Sequence, residues 1–157
     1  MVRNQFVSAF ILLGGLALLA EAPPQEAQAP MTPFQMEAAA VGGLRTISGA
    51  QEIYARQYPD EGFACSFAVL GPSANGLVSA EHAGLLDKAF VSGTLDGYVY
   101  ELICPDPKKP VKKYLLSAVP QAPNEHRMRA FCVDEKAEIK TSLDGKAKSC
   151  FKNGKKI

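Results

Sequence analysis

The side chains of this 157-residue chain with types and spacings suited to chemistry are four cysteines, two histidines, two adjacent carboxylate pairs and a cluster of lysines. Cys65, Cys104, Cys132 and Cys150 have two possible uses. A structural zinc site is commonly built from ligand pairs a few residues apart. No two of these cysteines are that close, and only His82 and His126 could complete a set, so no metal is expected. An even number of cysteines in an oxidising compartment argues instead for two disulfides. Three pairings are open. Cys65–Cys104 with Cys132–Cys150 is preferred, because the second pair brackets a terminal hairpin and leaves the first to staple a loop to the sheet. Each closed loop would contribute roughly 3–4 kcal/mol.

The other groups point away from catalysis. Asp60-Glu61 and Asp134-Glu135 are adjacent carboxylates in turn-like contexts, which read as solvated surface, and His82 and His126 read as surface histidines. The chain has no G-x-S-x-G, Walker, H-E-x-x-H or C-x-x-C pattern, so the expectation is a non-enzymatic protein with no cofactor. Lys108, Lys109, Lys112 and Lys113 flank Pro110-Val111; with Lys146, Lys148, Lys152, Lys155 and Lys156 they would make a basic rim on the sheet. Lysines at a sheet edge block strand-to-strand aggregation. The alternative use is contact with an acidic partner: DNA, anionic lipid or the acidic part of a neighbouring subunit. Few aromatic residues are interleaved there to stack bases, which argues against sequence-specific nucleic-acid recognition.

Charge along the chain sharpens this reading. The formal net charge is +1, but residues 1–103 sum to near −6 and residues 104–157 to near +7. Neutrality is a cancellation, and a uniformly basic nucleic-acid binder is excluded. At the front, Arg3 precedes a 15-residue apolar run, residues 6–20, which matches the core of a secretory signal and is short for a membrane span. Small-x-small sites end at Ala22 and Ala29, each followed by proline. Residues 1–22 therefore read as a signal peptide or a short membrane anchor, residues 23–31 as a Pro/Ala/Gln-rich linker, and residues 32–157 as one globular domain. The address is an exported one: periplasmic, cell-surface or membrane-anchored in a bacterium.

The domain must hold these groups in place. Thr32-Pro33-Phe34-Gln35 has the marks of a helix start, with Thr32 as N-cap, Pro33 at the first position and Gln35 placed for a capping box. Val41, Leu44, Ile47, Gln51, Tyr54 and Tyr58 recur at helical spacing, with Gln51 the one polar member, and Pro59 stops the run. This predicts an amphipathic helix of about 25 residues in which Val41, Leu44, Ile47 and Tyr54 pack on the core. Gly42, Gly43 and Gly49 mark either close packing or a weak helix. Ser79 is placed to cap a second helix over residues 80–91, ending at Gly93. Period-two patterns then predict strands at residues 98–104, 114–119, 129–133 and 138–141, joined by proline-rich or Asp-Gly turns. The fold class is α+β: an N-terminal amphipathic helix and a second short helix packed on a C-terminal antiparallel meander.

These residues resemble a known pattern. Glu37-Ala38-Ala39-Ala40-Val41-Gly42-Gly43-Leu44-Arg45-Thr46-Ile47, the Tyr58-Pro59 helix end, Phe67-Ala68-Val69-Leu70-Gly71-Pro72, Ala83-Gly84-Leu85-Leu86-Asp87, Ser92-Gly93-Thr94, Gly97-Tyr98, Arg129-Ala130-Phe131-Cys132-Val133-Asp134 and Asp144-Gly145 follow in order. The chain is similar in these to type IV pilin-like (pseudopilin-like) proteins of the acidobacterial type, over nearly its whole length after Thr32. The resemblance implies a structural subunit whose helix anchors it in the inner membrane and then packs into a filament core, with the sheet outward. Its implied partners are other pilin-like subunits or components of a pilus or secretion apparatus, with membrane association through residues 6–20. The front departs from the family. It has no Gly-Phe leader site and no glutamate five residues beyond one, and Pro23, Pro24, Pro30 and Pro33 interrupt the continuous helix.

Overall fold

A computed structural model describes residues 29–122 and 128–157 of the chain. The expected signal or anchor, most of the linker, and His126 lie outside the described residues.

The first helix, α1, spans Pro33–Gln57 and starts where the sequence places it. The Gln35 amide N–H donates to Thr32 Oγ1 (3.3 Å), and the Thr32 N–H donates to Gln35 Oε1 (2.9 Å), closing the capping box. Ala29 to Met31 are not helical, so the helix begins at its cap. Its inward face buries Leu44 and Ile47 completely and Tyr54 almost so, while Val41 sits half-buried at the margin. Burying each large apolar side chain stabilises the fold by roughly 1.5–3 kcal/mol. Gly43 decides between the two readings of the glycines: a Cβ there would collide with the Tyr100 hydroxyl, whereas Gly42 and Gly49 face open space. Only Gly43 marks close packing, letting a strand tyrosine lie against the helix backbone.

Six strands form one antiparallel meander in sequence order: β1 Thr94–Leu95, β2 Tyr98–Ile103, β3 Leu115–Pro120, β4 Ala130–Asp134, β5 Lys140–Ser142 and β6 Lys155–Lys156. Register places Tyr100 opposite Ala118, Leu116 opposite Val133 and Ala118 opposite Phe131. Opposed residues share a face, so these side chains form the core face that α1 covers. Cys132 points to the other face, where its disulfide ties down α4, Ala147–Asn153, through Cys150. The molecule is thus α+β, with α1 on one side of a six-stranded sheet and a short helix on the other.

Two expectations need correction. The second helix over residues 80–91 is only one turn, Lys88–Val91 (α3). The N–H groups of Ala83, Gly84, Leu85 and Leu86 donate instead to the carbonyls of Val69, Gly71 and Leu70. These partners lie in and just after α2, the single turn Phe67–Leu70 capped by Ser66. Gly84, at φ +64°, turns the chain out of helical geometry. Ala83 and Leu86 are buried as expected, but from an irregular segment. Secondly, the lysines do not make one rim. Lys155 and Lys156 lie on edge strand β6, where the edge-protecting role fits, whereas Lys108 to Lys113 lie in the connection between interior strands β2 and β3.

The acidic and basic parts of the chain meet in a cross-layer ion pair. Glu37 of α1 accepts from the Arg129 backbone N–H (2.9 Å), Nε (3.0 Å) and a terminal guanidinium nitrogen (2.6 Å). Burial pushes the Glu37 carboxyl up, but the side-chain and backbone hydrogen bonds of Arg129 and its charge outweigh this and hold it below the ordinary 4.5. A carboxylate with a depressed folded-state pKa contributes stability above its unfolded value and loses it as pH falls through the folded one. Glu37→Gln is therefore expected to cost about 1–2 kcal/mol at pH 7, with Arg129's solvent exposure keeping the figure modest, and the cost is expected to narrow from pH 7 down to pH 3 as the carboxyl takes up its proton. Urea midpoints of both proteins across that pH range check it; a gap unchanged at pH 3 would refute the assignment.

Candidate functional site

At the C-terminal end of α1 two loops are bound into one unit, residues 61–65 and residues 104–114. The unit begins with Gln51, completely buried on the helix. Its Nε2 donates to the Ala64 carbonyl (2.7 Å) and its Oε1 accepts the Ala64 N–H (2.8 Å). A buried amide satisfied at both ends fixes the first loop to the helix. The loops are then joined by backbone: Val111 N–H donates to the Glu61 carbonyl (2.8 Å) and Phe63 N–H to the Val111 carbonyl (3.0 Å). Gly62, at φ +76°, permits this approach, since a Cβ there would meet the Val111 backbone. The Cys65–Cys104 disulfide and a Lys109–Glu61 ion pair (2.6 Å) complete the junction. That ion pair is solvent-exposed and adds little stability.

The sequence-predicted residues divide around this junction. Val111 and Tyr114 point inward and are buried, which leaves Lys108, Lys109, Lys112 and Lys113 projecting. Lys109 turns to Glu61 and, with Pro107, borders a groove of about 350 Å³ whose apolar lining includes Tyr54, Phe63, Val69 and Val111. Burial, helped by the Glu61 carboxylate, raises the Tyr54 phenol above its ordinary value, so it remains a neutral donor to the Ala80 carbonyl (2.8 Å). Lys108, Lys112 and Lys113 line a second recess, about 320 Å³, with Pro105 and Asp106. Asp106 spends one carboxylate oxygen on the Lys108 N–H (3.2 Å).

The remaining candidates take structural roles. Cys132 and Cys150 are paired beneath α4. Asp134 accepts the Lys136 N–H in the turn after β4, and His82 is exposed with Nδ1 3.3 Å from the Ala68 carbonyl. No group of His, Cys, Asp and Glu among the described residues could hold a metal ion. Sequence reasoning missed the pairing of Glu61 with Lys109 and the purpose of Gln51, although the single polar residue on an apolar helix face was a visible signal for the latter. Neither the protein-family models nor the curated proteins searched contain a match to this chain.

Proposed function

We propose that this chain is a non-enzymatic cell-envelope structural protein with a pilin-like domain, serving as a subunit or accessory component of a type IV pilus or type II secretion-related assembly. The observation that carries the reading is the arrangement of a 25-residue helix across an antiparallel meander, stapled by two disulfides. That is the architecture the resemblance implies, and disulfides suit an exported protein. Within the two adjacent carboxylate pairs, Glu61 holds an ion pair with Lys109 and Asp134 accepts the Lys136 N–H of its own turn. Function then resides in protein–protein contact, with the opposite charges of the two parts of the chain helping partners to register.

A second reading is a free periplasmic or secreted binding module of the same fold that does not polymerise. The capping box at Thr32 favours it, because a capped helix does not continue backward into the apolar run as a filament-core helix must. The mature mass and fractionation of the exported protein separate the two. A chain retaining residues 6–20 and sedimenting with membranes is the outcome expected of an assembly component. A soluble chain beginning just after Ala22 or Ala29 selects the free module.

A further inference from the structure

We propose that the wall formed by residues 105–113 docks an acidic peptide segment carrying one bulky apolar side chain. This deepens the reading of the chain as an envelope protein that acts through protein–protein contacts, and rests on it. The apolar side chain enters the groove beside Tyr54 and Phe63, and the acidic residues lie against Lys108, Lys112 and Lys113.

Three features select this occupant. The first is charge: Lys108, Lys112 and Lys113 are exposed, and none forms an ion pair among the described residues. Asp106, the one acid in their recess, is committed to its own turn. The second is adjacency: the lysine recess and the apolar groove lie on the two sides of one short segment, with Pro107 and Lys109 facing the groove and Lys108 the recess. A polyphosphate or nucleic-acid backbone would use the lysines and leave the groove empty, whereas a peptide fills both. Glu81 on the groove wall, with Glu61 already neutralised by Lys109, keeps acidic residues out of the groove and sets the occupant's polarity. The third is rigidity. The wall is held by the two backbone hydrogen bonds of the Gly62–Val111 bridge and by the Cys65–Cys104 disulfide, so little ordering is left for binding to accomplish.

Anionic lipid headgroups would likewise engage the lysines and leave the apolar groove empty.

The test is fluorescence anisotropy of the detergent-purified full chain with a labelled Glu-Glu-Phe-Glu-Glu peptide at low salt. Saturable binding is expected, weakened by about tenfold in a Lys108→Gln/Lys112→Gln/Lys113→Gln variant. It should be at least about fivefold weaker for Glu-Glu-Ala-Glu-Glu, in line with one lost apolar anchor. A control variant, Lys146→Gln/Lys152→Gln/Lys155→Gln, changes net charge equally and is expected to bind as the parent does. Absence of binding, or equal weakening in both variants, overturns the docking surface. Equal binding of the alanine peptide overturns the apolar half and leaves an unspecific anion surface. None of these outcomes touches the membrane fractionation and mature mass on which the envelope reading stands.

Discussion

Replacing Gln51 by leucine is expected to lower the stability of the domain by about 3 kcal/mol, because it strands two buried backbone groups at once. Gln51 is fully buried and Ala64 nearly so, and their two hydrogen bonds satisfy both the Ala64 N–H and its carbonyl. Leucine keeps most of the buried volume, so the loss is electrostatic rather than a cavity. Each orphaned group costs about 1–3 kcal/mol, and the melting temperature should fall by about 10 °C. Gln51→Glu gives a control with a characteristic pH dependence. One carboxylate oxygen can still accept the Ala64 N–H, but the other faces the Ala64 carbonyl and is repelled unless protonated. The glutamate variant should therefore be destabilised at pH 7 and recover part of the loss as the pH falls and the carboxyl gains a proton to donate. Urea unfolding with the disulfides intact measures both. A loss below about 1 kcal/mol for the leucine variant would mean that Ala64 finds other partners and that the clamp does not hold the loop. The same substitution should loosen the wall at residues 105–113, since the 61–65 loop is its support.

The history of Gln51 shows what was legible. Its position on the apolar stripe was plain from the 3.6-residue period, together with the start, cap and end of α1, because those signals are local. Its partner was not, because Ala64 is a backbone acceptor and donor on a loop and carries no side-chain signature. The four longer strands were readable from alternation, within one or two residues at their ends. The segment over residues 80–91 misled for a physical reason. Apolar residues at helical spacing record burial, and Ala83 and Leu86 are indeed buried, but their N–H groups go to the carbonyls around α2 rather than to a turn of their own. Helix α4 escaped notice because it is seven residues long and Cys150 is its only buried side chain, which leaves no periodic stripe to read. Of the candidate surface, the lysines were evident from composition. Their division by the Lys109–Glu61 pair, and the groove alongside, depend on the non-local contact of two loops.

Graded reduction should open the two disulfides in a fixed order, Cys65–Cys104 first. Reduction requires a thiolate to reach one sulfur and displace the other, forming a mixed disulfide that a second thiol resolves, so access governs the rate under native conditions. Cys65 is exposed, whereas Cys132 and Cys150 are 1% and 0% accessible. Loop entropy also puts Cys65–Cys104 first, as the bond that stabilises more. The 39-residue separation of Cys65 and Cys104 gives about 4 kcal/mol and the 18-residue separation of Cys132 and Cys150 about 3 kcal/mol. The accessible bond is therefore also the more stabilising one, and its loss should lower the melting temperature by about 10–15 °C. Low dithiothreitol with iodoacetamide trapping, followed by peptide mass mapping, should find Cys65 and Cys104 alkylated while Cys132–Cys150 stays intact. Modification of all four together would mean that reduction proceeds through global unfolding and that exposure does not set the order. The physical consequence bears on the docking wall, since Cys104 anchors the start of the lysine segment and Cys65 borders the groove. Cys65→Ser/Cys104→Ser should accordingly weaken peptide binding while α4 remains tied to the sheet. Four free thiols in protein recovered from the envelope would overturn both the pairing and the oxidising address together.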